Sequence, residues 1–313
     1  MEEHRTAREV IVDAGHAGQR IDNYLMARLR DLPRARIYRM LRKGEVRING
    51  ARVRPDRRVA RGDRVRLPPV RRAPRPEAAP VPPAVLAELE QAILHEDEDL
   101  LVLDKPAGLA VHAGSGLRWG VIEALRQLRP NAPALELVHR LDRATSGCLL
   151  VARRRPALLT LHQLLREGAV EKTYLCLVVG RWRGGPRRVE MALSRGGGQG
   201  RAHAAADGKP AVTDFEPLRR FADATLLRAR LHTGRTHQIR VHAAELGHPL
   251  LGDDKYGDFA ANRQWRRRGL RRLFLHSATV AFRWPRSGRP MRFEAPLPAD
   301  LQDLLDRLQE NRA

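Results

Sequence analysis

A chain of 313 residues that is 42% hydrophobic has ample material for a packed interior and a size that suits about two domains. Its 58 Lys and Arg against 36 Asp and Glu leave a net charge of +22, a field that favours polyanions and, in a chain of this kind, nucleic acid. No apolar run approaches the roughly 20 residues of a membrane helix, residues 1–5 lead into no apolar signal-peptide core, and Cys148 and Cys176 sit singly within apolar runs, as buried reduced thiols of a cytoplasmic protein would.

In chain order, residues 20–29 are expected to be helical, with Ile21, Leu25 and Leu29 four apart on one face. Pro33 opens a second helix that runs through Lys43 and ends at Gly44. On it Ile37 and Leu41 point to the core, while Arg36, Arg39 and Lys43 share another face. Val46-Arg47-Ile48 alternates as a strand, Asn49-Gly50 is a two-residue hairpin turn, and Gly62-Asp63 leads into Val65 and Leu67. Two short helices and a small curled sheet with one basic helix face suit an RNA backbone. A solvated charged helix in a structural domain has the same pattern. The stretches Gly18-Gln19-Arg20-Ile21-Asp22-Asn23-Tyr24-Leu25 and Leu41-Arg42-Lys43-Gly44-Glu45-Val46-Arg47-Ile48-Asn49-Gly50 resemble the S4 RNA-binding domain. That places an S4-like module at 18–67, and it names a ligand class but no reaction.

Seven prolines among residues 68–84 forbid helix and central strand, so 68–90 is expected to be an extended linker. Beyond it, 91–313 forms the larger unit. Residues 99–109 read as a buried strand running into a Pro/Gly turn, with further strands at 148–152, 173–179, 212–217, 224–231 and 278–283. Helices are expected at 121–128, 156–167 and 236–246, and a polar helix at 298–310 follows Pro298. Strands outnumber helices, and many are joined without a helical crossover. The fold class is therefore α+β, with a mixed or largely antiparallel sheet.

The densest constellation of polar residues is Val138-His139-Arg140-Leu141-Asp142-Arg143-Ala144-Thr145-Ser146-Gly147. Asp142 precedes a rigid strand, cations on both sides favour its charged form, and the small residues after it leave space for a ligand. A salt-bridged loop fits that bare pattern equally well. The second constellation is Thr233-Gly234-Arg235-Thr236-His237-Gln238-Ile239-Arg240-Val241-His242, where Gly234 can start the helix and Arg240 can face a carboxylate. His237 and His242 are five apart, off one another's helix face, and read as supporting or core histidines rather than zinc ligands. The third is Glu171-Lys172-Thr173-Tyr174, whose tyrosine begins a strand beside basic groups that suit base stacking. Asp253-Asp254 could bind a metal, but beside Gly252 it reads rather as a turn, and the glycine-rich run at 196–200 as a hairpin loop. The phosphate-cradling, dinucleotide, zinc-protease and nucleophile-elbow motifs are missing, which leaves nucleotide hydrolysis and redox chemistry without support.

Over residues 95–296 these stretches, together with Asp104-Lys105-Pro106-Ala107-Gly108 and Gly247-His248-Pro249, resemble the RluA-type family of pseudouridine synthases. The S4-like module, Val-His-Ala-Gly-Ser-Gly at 111–116, Gly120-Val121-Ile122-Glu123 and Leu273-Phe274-Leu275-His276 narrow the resemblance to members acting on large-subunit ribosomal RNA. Cys148, where the family often has Val, and the glycine-rich loop depart from the pattern. The resemblance implies isomerisation of uridine within RNA, with no cofactor, metal or ATP. It makes Asp142 the essential aspartate, Arg240 the arginine paired with it, and Tyr174 the ring that stacks on the target base. Arg140 would help to replace the extruded base or hold phosphate, and Arg36, Arg39 and Lys43 would contact RNA. The implied partner is large-subunit ribosomal RNA or its precursor, met by a monomer in the cytoplasm and away from any membrane. Two alternatives remain: a paralogue acting on other ribosomal uridines, and a non-catalytic RNA-binding assembly factor. The intact Asp142, Tyr174 and Arg240 argue against the second.

Overall fold

A computed structural model describes residues 7–13, 16–29, 32–69, 80–113, 117–132, 134–196, 201–285 and 287–310. Residues 70–79 of the expected linker, residues 114–116 and residues 197–200 of the glycine-rich loop lie outside these. The chain divides into two compact units, the second beginning at Pro80.

The first unit contains β1 (Arg8–Ile11), α1 (Ile21–Arg28), α2 (Arg34–Lys43), β2 (Arg47–Ile48), β3 (Ala51–Arg52) and β4 (Arg64–Leu67). Its antiparallel sheet has the order β1-β4-β2-β3. Asn49 and Gly50 both take positive φ, the backbone a two-residue hairpin demands. Asn49 also ties its turn to the chain before β4, its Nδ2 donating to Asp63 Oδ1 at 2.9 Å and its Oδ1 accepting from Arg64 N at 2.8 Å. Ile21, Leu25, Ile37 and Leu41 pack on Val46, Ile48, Val65 and Leu67. That leaves Arg39 and Lys43 exposed on α2 and Arg36 half-buried.

The second unit runs α3 (Pro83–Gln91), β5 (Ile93–Glu96), β6 (Leu100–Lys105), α4 (Val121–Leu128), β7 (Glu136–Leu137), β8 (Ser146–Ala152), α5 (Arg155–Glu167) and β9 (Glu171–Val179). There follow β10 (Arg187–Glu190), β11 (Leu193–Arg195), β12 (Ala202–Ala204), β13 (Val212–Arg220) and β14 (Ala224–Leu231). The chain closes with α6 (Gln238–Glu245), α7 (Phe259–Arg267), β15 (Leu275–Arg283), β16 (Pro290–Glu294) and α8 (Ala299–Glu310). The main sheet has the order β10-β13-β14-β9-β15-β8-β6-β5, with β16 added on β15 and β7 on β8. Every pairing in it is antiparallel except β8 with β15. This is the mixed, largely antiparallel α+β architecture.

Both faces of the central strands are covered, which is why they read as continuous apolar runs. Leu101, Leu103, Leu149 and Val151 pack with α4 and α6 residues on one face. Their neighbours Leu100, Val102, Cys148 and Leu150 pack against Leu158 and Leu161 of α5 on the other, the period-two alternation of a pleated strand. The chemistry lies on the α4/α6 face.

Three expectations are corrected. The stretch 83–90 is helical rather than extended linker. Pro83 sits at the first helical position, where its missing N–H costs nothing, and the proline-free residues after it bury Leu89. The helix expected from 236 starts at Gln238, because the Gln238 side chain accepts from Thr233 Oγ1 (2.7 Å) and Arg235 N (3.0 Å) and so holds 233–237 as a loop. Gly234 therefore does not start that helix. The closing helix α8 is amphipathic, with Leu301, Leu304 and Leu305 buried.

Candidate active site

The loop at 139–145 delivers Asp142 to the start of β8, and it is fastened from several sides. His139 Nε2 accepts from Leu150 N at 3.1 Å. Burial, aided by the nearby Lys172 charge, pushes this imidazole down to about 4, so it stays neutral. Lys105, wholly buried, donates from Nζ to the carbonyls of Pro106 (2.7 Å), Leu109 (2.9 Å) and Arg143 (3.3 Å). Burial draws that ammonium down to about 7. Arg143 Nε donates to Gly108 O at 2.8 Å, and Gly108 N returns a bond to Arg143 O. The Asp104–Gly108 motif is thus the clamp on the aspartate loop.

Arg240, on α6 and 4% exposed, donates from Nη1 to Asp142 Oδ2 at 3.3 Å. Its firmer contacts are to Asp253, where Nε and Nη2 each reach a carboxylate oxygen at 2.7 Å. Burial alone would raise the Asp253 carboxyl. The hydrogen bonds and charge of Arg240, with the N–H groups of Tyr256 and Lys255, hold it below the usual carboxylate range instead. Asp142 Oδ1 accepts no hydrogen bond from any described residue. His237, at φ 56, places Nε2 3.8 Å from Asp142 Oδ2, while its Nδ1 lies 2.8 Å from the Tyr256 hydroxyl.

Tyr174 is on β9, 6% exposed, and burial pushes its phenol up to about 12 against the opposing hydrogen bond from Ser277, so it stays protonated. Asp142, Tyr174 and Arg240 line one cavity of about 730 Å³, with Arg140 exposed at its edge. Four of the sequence-derived site residues are therefore brought together, whereas Arg36, Arg39 and Lys43 belong to the first unit. The sequence reading took Asp253 for a plain turn residue and gave Tyr256 and Lys172 no role. A carboxylate pair beside a glycine was the one signal that pointed to Asp253. His242 is fully buried with Nε2 3.3 Å from Met191 O, as a core histidine would be. Cys148 and Cys176 are free and buried, with thiols raised by burial to about 11 and about 12. Among the described residues no cluster of His, Cys, Asp or Glu is arranged to hold a metal. A fixed carboxylate with one open oxygen, beside a protonated phenol in the same cavity, can act as nucleophile or base.

Comparison with known proteins decides the family. Residues 99–245 match the RNA pseudouridylate synthase family and residues 19–65 the S4 domain. The chain is 49% identical over 309 residues to the ribosomal large subunit pseudouridine synthase C of Escherichia coli (strain K12), covering 97% of each. To the protein of that name from Pasteurella multocida (strain Pm70) it is 48% identical over 307 residues, covering 96% of this chain and 94% of the relative. The chain belongs to the RNA pseudouridylate synthases. In fold, the synthase matches the human RNA pseudouridylate synthase domain containing 4 with a TM-score of 0.60 at 24% identity, over 72% of this chain and 96% of the other. A human relative, domain containing 1, gives 0.52 at 26% identity, over 70% and 94%.

Removing Asp253 leaves the Arg240 guanidinium buried with only the longer bonds to Asp142 and to the exposed Asp254. Asp253→Ala should destabilise the second unit by about 3–5 kcal/mol. The double variant Arg240→Met/Asp253→Leu should recover much of that loss. Urea unfolding followed by tryptophan fluorescence reads it, since Trp119, Trp182, Trp265 and Trp284 all lie in this unit. Losses that simply add would mean the two side chains are not coupled.

Proposed function

We propose that the synthase converts uridines of large-subunit ribosomal RNA to pseudouridine in the cytoplasm, with Asp142 as the acting carboxylate. The observation that carries this reading is the open Oδ1 of Asp142 in the cavity, beside the oxygen anchored by Arg240. Near-full-length similarity to enzymes named for the large ribosomal subunit supports the substrate. No described helix is long and apolar enough to cross a membrane.

In this reaction the N1–C1′ bond breaks, the uracil turns, and C5 bonds to C1′. Asp142 either attacks C1′ directly or removes the C2′ proton to form a glycal, and both routes need an ionised carboxylate at close range. Arg240 holds that carboxylate in one orientation, so little motion is left to freeze when the ribose arrives. The uridine must leave its stack to enter, at a cost of a few kcal/mol. Stacking on an aromatic ring such as Tyr174 returns about 1–3 kcal/mol per base. Arg140 at the edge would hold phosphate or fill the gap left by the extruded base. Arg36, Arg39 and Lys43 of the S4 module would meet phosphates elsewhere on the RNA.

Asp142→Asn keeps the shape and removes the charge, so it should abolish pseudouridine formation while leaving fold and RNA affinity nearly unchanged. Tritium release from RNA labelled at uridine C5, alongside filter binding, measures both. Substantial turnover by the pure variant would remove Asp142 from its role. Replacing Arg36, Arg39 and Lys43 together should flatten the salt dependence of RNA binding, by about 0.7–0.9 in log–log slope for each phosphate no longer neutralised. An unchanged slope would mean that α2 faces away from the RNA.

A further inference from the structure

Three cations are buried among the described residues, and two of them are matched. Lys105 meets three carbonyls and Arg240 meets the carboxylates of Asp142, Asp253 and Asp254. The third, Lys172, is 8% exposed, and its ammonium makes no hydrogen bond or ion pair with any described residue. It lies on β9 two positions before Tyr174, so both side chains leave the same face of the sheet, and both line the cavity. Glu171, beside it in sequence, is turned to the opposite face and pairs with Arg230 at 2.9 Å. Across from Lys172 stands Gly234, whose Cβ, if it had one, would lie 4.0 Å from Nζ, and both residues line the cavity.

An unpaired buried ammonium costs several kcal/mol, and burial accordingly lowers the affinity of Lys172 for its proton. Such a group is compensated when an anion arrives. On the proposed reaction the substrate generates one inside the cavity. When N1–C1′ breaks, its electron pair leaves on the base as uracilate, with charge spread over N1, O2 and O4. C1′ is meanwhile taken by the Asp142 carboxylate, or becomes doubly bonded to C2′ as Asp142 removes the C2′ proton. Bonding of C5 to C1′ then consumes the anion. Asp142 departs from C1′ or returns its proton to C2′, and the C5 proton is lost to water while N1 takes up a proton from it, which leaves the base neutral.

We propose that Lys172 is a catalytic residue for the detached base, its ammonium holding the uracilate in the cavity while the base turns from N1 to C5. This rests on the function proposed above. A backbone phosphate is the less fitting anion, because the extruded base reaches deepest while the exposed Arg140 and Arg166 stand at the cavity edge for phosphates. A lysine also suits a turning partner. Its three donors rotate about one point charge, whereas a guanidinium fork would fix one orientation.

The test compares the full chain with Lys172→Met and Lys172→Arg on a large-subunit ribosomal RNA transcript, at saturating protein and in single turnover. Wild-type conversion of that transcript is the control, and its failure would count against the proposed function rather than against Lys172. Lys172→Met should slow conversion about 100-fold, as loss of one oriented donor to a developing anion does, with RNA affinity within about twofold. Lys172→Arg, which keeps the charge, should recover part of the rate. Lys172→Met should melt at or above the wild-type temperature, since it removes an unpaired buried charge. On a transcript made with 5-fluorouridine, whose fluorine stabilises the departing anion, the loss from Lys172→Met should shrink by about tenfold. Digestion and mass spectrometry of nucleosides read both substrates. The proposal is overturned by an unchanged single-turnover rate, including one accompanied by weaker RNA binding as a phosphate anchor would give. It is equally overturned by an equal loss on both transcripts, or by a marked fall in melting temperature.

Discussion

A guanidinium taken out of water must be met by negative charge, and Arg240 is met by Asp253 through two short bonds, by Asp142 through one longer bond and by the exposed Asp254 through another at 3.4 Å. The asymmetry orders the site. Asp253, fully buried and capped by the N–H groups of Lys255 and Tyr256, belongs to the scaffold and sets where the guanidinium lies. Asp142 is reached by the free end of the fork and keeps an open oxygen for chemistry. Around this axis the other contacts fall into place: His237 against Tyr256, Tyr256 accepting from Ala202 N at 2.7 Å, and the Arg240 Cζ 5.1 Å from the centre of the Tyr256 ring. If the longer bond is broken while the shorter pair survives, the fold persists and only the carboxylate drifts.

The sheet brings the second half of the site to the first. Ser277 on β15 is in register with Gly147 on one side and Tyr174 on the other. The strand that follows the Asp142 loop and the strand that carries Tyr174 and Lys172 are thereby set two places apart, about 10 Å at the usual strand spacing. Gly147 makes the parallel approach possible. It takes φ 107, and a Cβ there would lie 2.2 Å from Ser277 O. The small residue after the aspartate therefore serves the close approach of two strands.

Much of this was legible in the sequence. The helix at Val121–Leu128 and the strand at Ala224–Leu231 follow from local periodicity and carry the expected bounds. Asp142, Arg240 and Tyr174 stand out as polar residues packed into otherwise apolar, glycine-punctuated stretches. What escaped depends on partners distant in the chain. Asp253 is matched to a residue 13 positions earlier, and a turn aspartate shows the same local pattern. The helix at Pro83–Gln91 was hidden by the proline density before it, and the late start of α6 depends on one glutamine gripping a threonine and a backbone amide. Short edge strands such as Arg8–Ile11 carry too few residues for an alternation to show. Lys172 stands out in the sequence only as a basic neighbour of Tyr174, because the lack of a counter-ion for its ammonium depends on the three-dimensional surroundings.

Mapping pseudouridine across ribosomal RNA from cells lacking this gene, before and after the gene is returned as wild type or as Arg240→Met, tests the assignment most directly. A defined set of large-subunit pseudouridines should vanish on deletion, return in full with the wild type, and return poorly or not at all with the methionine variant. An unchanged map after deletion, or full restoration by Arg240→Met, would contradict it.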